Sequence, residues 1–116
     1  MAESKLRELS MDFSVDIINL VKYLKSNHET IIANQIGRSG TSIGANIHEA
    51  QYAQGKKDFV SKLEIALKEC NETEYWLDIL FDTDCMSENN YKMMRSECGI
   101  SRRMLISSLN TIKINQ

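Results

Sequence analysis

Phe59, Leu63, Ala66, Cys70, Thr73, Leu77 and Leu80 follow one another at alternating steps of four and three. A strand cannot use that spacing, because its side chains change face at every residue. A helix can, since steps of three and four return to one face at about 3.6 residues per turn. The stripe commits residues 56–82 to a long amphipathic helix, with a seam suited to a nearly antiparallel neighbour. Gly55 and Asp58 mark its start, and Asp82, Thr83 and Asp84 open a polar connection.

Three more stripes accompany it. Leu6, Leu9, Phe13, Ile17, Leu20 and Leu24 predict a helix over 4–26, with Asn27 as a stop in the left-handed conformation. Ile32, Ile36, Gly40, Ile43, Ile47 and Ala50 predict one over 29–53. Tyr91, Met94, Cys98, Ser101, Leu105, Ser108 and Ile112 predict one over 87–114, with Ser87 as its N-cap and Glu88 at the positive end of its dipole. The chain has no proline to interrupt any of them. The expected fold is all-α: a single domain over 1–116, an antiparallel up-down-up-down four-helix bundle. A chain this long buries roughly two thirds of its unfolded surface, so it needs no metal or disulfide to fold.

Gly37, Gly40 and Gly44 lie in the second helix, where each costs up to about 1 kcal/mol relative to alanine. GxxGxxxG is not the spacing of a phosphate-binding loop, and the flanks are helical rather than strand and helix. Gly37 and Gly44 line one shoulder of the apolar face and Gly40 lies within it, so the row predicts a close helix–helix approach. Gln35, Ser39, Ser42, Asn46 and Glu49 line the opposite shoulder, where small polar groups can hydrogen-bond across a helix pair.

The chain carries more apolar surface than one bundle core uses. Met11, Val15 and Ile18 lie opposite the main stripe of the first helix. Ile65, Trp76 and Ile79 form a second row on the third, with Glu69 and Glu72 between them as a solvated or interfacial shoulder. Two such faces predict self-association.

Charge is segregated. The third helix is acidic, and the fourth carries Lys92, Arg95, Arg102 and Arg103. The expectations that follow are pairing within or between subunits, simply solvated faces, or a cationic strip for nucleic acid, extended by Arg38, Lys56 and Lys57. A net charge of -2 speaks against a dedicated nucleic-acid binder.

No catalytic residue, cofactor site or metal site is expected. The two histidines, His28 and His48, do not follow a glutamate by three, as di-iron bundles require. No nucleophile elbow occurs. Cys70, Cys85 and Cys98 form no CxxC pair, and the thiols fit a reducing, cytoplasmic setting. No signal peptide or membrane segment is expected.

The stretches RSGTSIGANIHEA, KKDFVSKLEIALKE and ETEYWLDIL resemble the bacterial four-helix bundle family of 23S rRNA intervening-sequence proteins. The likeness is specific over 35–80 and is one of pattern elsewhere. Arg38, Ser39, Ser42, Ile43, Asn46, Ile47 and Glu49 match one family motif, and Lys57, Asp58 and Phe59 another. The resemblance implies a cytoplasmic homo-oligomer, a pentameric ring in characterised relatives. A related branch, the accessory proteins of diversity-generating retroelements, implies RNA or a reverse transcriptase complex as partners. The acidic balance departs from that branch. Gly55 stands where relatives often carry serine, which implies an N-cap weaker by a few tenths of a kcal/mol.

Overall fold

The computed structural model describes residues 2–114. Four helices follow in order: α1 Ala2–Ser26, α2 Thr30–Ala50, α3 Lys56–Asp82 and α4 Glu88–Ile114. The connections span 27–29, 51–55 and 83–87. Extended chain advances at most about 3.6 Å per residue, so none of these links can return along a helix of about 40 Å. Successive helices must therefore run antiparallel. Each helix packs on two neighbours, α1 on α2 and α4, and α3 on α2 and α4. Neither diagonal pair makes a close backbone approach among the described residues. The result is a square rod of 48 × 22 × 20 Å.

All four stripes point inward. Phe13, Ile17, Leu24, Ile36, Ile43, Ile47, Leu77, Leu80 and Leu105 are fully buried along the axis. Cys70 and Cys98 are buried among them as small core residues, and the three cysteines are free. Cys98 Sγ lies 3.6 Å from the Cys70 carbonyl. The contact with Cys70, and then burial, push the Cys98 thiol well above its ordinary value. It therefore stays protonated and unreactive.

The helix ends depart from expectation in three places. His28, not Asn27, takes the left-handed conformation after α1, at φ 65°. Asn27 instead uses its side-chain amide to bond the Tyr23 carbonyl at 2.9 Å. Helix α2 ends at Ala50 rather than 53, and its chain tightens through Tyr52 and Ala53 amides bonded to the Glu49 and Ala50 carbonyls. The next position on the apolar face is Gln54, which offers nothing to bury. Gly55 has φ 125°, a region closed to serine without strain, so conformation rather than capping selects glycine there. Ser87 caps α4 as its sequence suggests, accepting from the Asn90 amide at 3.1 Å.

The glycine row faces α1. A Cβ on Gly40 would lie 2.7 Å from Ile17 side-chain atoms, and one on Gly37 would lie 3.2 Å from Val21. One on Gly44 would meet Ser14 Oγ at 3.0 Å and the Ser10 carbonyl oxygen at 3.2 Å. The missing side chains are what bring α1 and α2 together.

Candidate functional site

Polar chemistry concentrates on the seams between helices. On the α2–α3 seam, Glu69 is buried, and Arg38 reaches across to it, Nη1 to Oε2, at 3.0 Å. The second Arg38 nitrogen, Nη2, contacts Glu72. The Trp76 indole N–H donates to the same Glu72 carboxylate at 3.0 Å. Deeper in the seam the buried Ser39 and Thr73 hydroxyls meet at 2.9 Å. One helical period places Glu69, Glu72 and Trp76 on the shoulder of α3 that faces α2, and Arg38 lies on the facing shoulder.

This seam corrects several sequence expectations. Glu69 and Glu72 are not a solvated pair but a receptor for Arg38. Ser42 and Asn46 do not bond across helices; their side chains donate to the Arg38 and Ser42 carbonyls of their own helix at 2.7 and 2.8 Å. Short polar side chains in mid-helix commonly find the carbonyl one turn back. Ser39, on the same shoulder, does bond across the helix pair as expected, to Thr73.

On the α3–α4 seam, Glu74 accepts from Arg95 at 2.9 Å and from Arg102 at 3.3 Å. Asp78 accepts from the Tyr91 hydroxyl at 2.6 Å and from Arg95 Nε at 3.0 Å. Desolvation by burial opposes the charged Arg95, but the Tyr91 contact and the two carboxylates outweigh it and raise its proton affinity. Arg38, Arg95 and Arg102 are thus engaged within the chain and do not form an open cationic strip. Lys92 lies 3.9 Å from Glu88, while Lys56, Lys57 and Arg103 are exposed. They are scattered rather than aligned along one groove: Lys56 and Lys57 open α3, whereas Lys92 and Arg103 stand on α4.

The α1–α4 seam is the least intimate of the four. Here α4 presents Glu97 to Asp12 and Asp16 of α1, and Glu97 Oε1 is buried without a hydrogen-bond donor. Burial, then the Asp16 contact and the charges of Asp16 and Asp12, push Glu97 up to about 7. Protonated, it can donate to Asp16; ionised, it faces two like charges. The folded state therefore holds this proton more tightly than the unfolded chain. Its contribution to stability is full below about pH 4.5 and is lost as pH rises towards about 7. Glu97→Gln is expected to stabilise the protein at about pH 8 by about 1 kcal/mol, after discounting for solvent screening. The advantage should vanish near pH 5, as read from urea unfolding at both values.

Outward apolar groups occur on every helix: Tyr23 on α1, Ile31 on α2 and Met93, Ile100 and Ile106 on α4 are exposed besides the two sets singled out by the sequence. On α1, Met11 is 64%, Val15 54% and Ile18 44% exposed. On α3, Ile65 and Tyr75 are exposed, but Trp76 and Ile79 are half-buried. Trp76 packs against the core, so it is less available to a partner than its sequence position suggests. Among the described residues, no group of three or more His, Cys, Asp or Glu is arranged to hold a metal ion. No helix among the described residues is long and apolar enough to cross a membrane.

These features define an antiparallel four-helix bundle cross-linked along its seams by arginine–carboxylate pairs, with uncovered apolar groups on its outer faces. Residues 2–107 match the family model described as 23S rRNA-intervening sequence protein, and the chain belongs to that family. It is also similar to a crystal structure of a protein of unknown function from the S23 ribosomal protein family of Bacteroides thetaiotaomicron VPI-5482. The two share 43% identity and a TM-score of 0.92, over 95% of this chain and 99% of that one. A comparison with curated proteins gives no match.

Proposed function

We propose that the chain is a non-enzymatic, self-associating bundle that serves as an assembly or adaptor module in the cytoplasm. The observation that carries this is the outward row Met11, Val15 and Ile18. These side chains contribute nothing to the bundle's own core, and an apolar row with no internal role is the mark of a contact surface. The sequence resemblance implies a ring of five copies. The free thiols fit a reducing compartment. Binding of RNA or a reverse transcriptase along α4 has less support, because Arg95 and Arg102 already hold Glu74 and Asp78.

Light scattering on purified protein at micromolar concentration is expected to give a mass several times the 13.3 kDa chain. Val15→Glu combined with Ile18→Glu should return it to 13.3 kDa with helical circular dichroism intact. A wild-type monomer would overturn the proposal.

A further inference from the structure

We infer that self-association joins unlike faces, the outer side of α1 in one copy to the outer side of α3 in the next; this rests on the reading just proposed. The two helices are diagonal in the bundle, with no close backbone approach between them among the described residues, so their outer sides look in opposite directions. Each side presents apolar groups: Met11, Val15 and Ile18 on α1, Ile65 and Tyr75 on α3.

Charge decides how such faces can pair. The α1 row is bracketed by Arg7 at one end and by Lys22 and Lys25 at the other, all exposed. The α3 row is bracketed by Glu64 and Asp82, also exposed. Among the described residues none of these five takes part in an ion pair. Arg7 and Lys25 are separated by the same number of residues as Glu64 and Asp82, about 27 Å along a helix. Two α1 faces laid together would oppose cation to cation at both ends, and two α3 faces would oppose carboxylate to carboxylate. Only α1 on α3 brings opposite signs together at both ends. With the two helices parallel and Arg7 set against Glu64, the exposed residues of reversed sign on α1, Glu8 and Asp12, lie within about one helical turn of Lys68 on α3, while Lys57 lies beyond the start of α1. Like-charge juxtaposition rejects wrong pairings more strongly than exposed pairs add affinity. A contact between unlike patches leaves each copy with one face of each kind to offer, so it propagates into a closed ring or a filament rather than stopping at a two-fold dimer.

Mixing of two blocked variants tests this. One carries Val15→Glu and Ile18→Glu and lacks a usable α1 face. The other carries Ile65→Glu and Tyr75→Glu and lacks a usable α3 face. All four positions are exposed, and circular dichroism checks that each variant folds. Each alone should be monomeric at 13.3 kDa, while an equimolar mixture should show a doubling of mass. The pairing is overturned if the α3 variant assembles alone as the wild type does. It is equally overturned if the mixture stays monomeric up to about 1 mM, where even a weak contact would register. The wild-type run separates the two claims: a monomeric wild type removes self-association itself, whereas an assembling wild type with failed mixing removes only the α1–α3 pairing.

Discussion

Gly40→Leu is expected to destabilise the bundle by about 3 kcal/mol or more, the upper range for overpacking a filled core. A Cβ alone at this position would stand 2.7 Å from Ile17 Cδ1 and Cγ1, closer than packed carbon atoms approach. Ile17 is fully buried, so it has no solvent to move into. Leucine would have to push α1 away from α2 or force Ile17 from its rotamer. Gly40→Ala should show the contest on a smaller scale, since alanine gains up to about 1 kcal/mol of helix propensity and meets the same wall. Pairing Gly40→Leu with Ile17→Ala restores the total volume and should recover part of the loss. Urea unfolding of the two single variants and the double variant gives the coupling directly. If Gly40→Leu unfolds at the wild-type midpoint, the α1–α2 seam is not set by the missing side chain.

Arg38→Met should cost about 3 kcal/mol, through a different mechanism. Glu69 has a side chain only 7% exposed, and Arg38 is the cation across from it. Removing one member of such a pair leaves an uncompensated carboxylate, a loss of about 3–5 kcal/mol in buried settings. The lower figure applies because the Arg38 side chain is 52% exposed and water can enter when it is gone. Arg38→Met with Glu69→Leu should recover most of the loss, because an apolar pair of similar volume needs no counter-ion. A double variant as unstable as the single one would show that Arg38 acts by packing and not by charge.

Much of the fold was legible in the residue spacing. Steps of three and four define four helices and the face each turns inward, and connections too short to retrace a helix make neighbours antiparallel. The second set of apolar groups on α1 was legible for the same reason, since Met11, Val15 and Ile18 cannot share a face with Phe13 and Ile17. The burial of Trp76 was not legible: its angular position sits at the edge of the core stripe, and only packing tells an edge residue from an outward one. The carboxylates that hold Arg95 and Arg102 were visible as an acidic helix beside a basic one, but not as pairs, and the partners of Arg38, which lies on α2, had no such signal. Arg38 and Glu69 are 31 positions apart, and their meeting depends on the axial offset of two helices. No one-dimensional pattern encodes that offset.

The sequence by itself determined the number and inward faces of the helices, because helical periodicity is a local property of the chain. The tertiary structure alone decided which way round the square the helices follow one another. The same four stripes would fill a core turning in either sense. In the sense observed, the glycine shoulder of α2 meets α1, and the shoulder bearing Ser39 and Arg38 meets α3. Turned the other way, every helix would exchange shoulders: the bare shoulder of α2 would face the Glu74 and Asp78 side of α3, and Arg38 would face α1. Close approach and charge pairing, both properties of two helices at once, select between the alternatives.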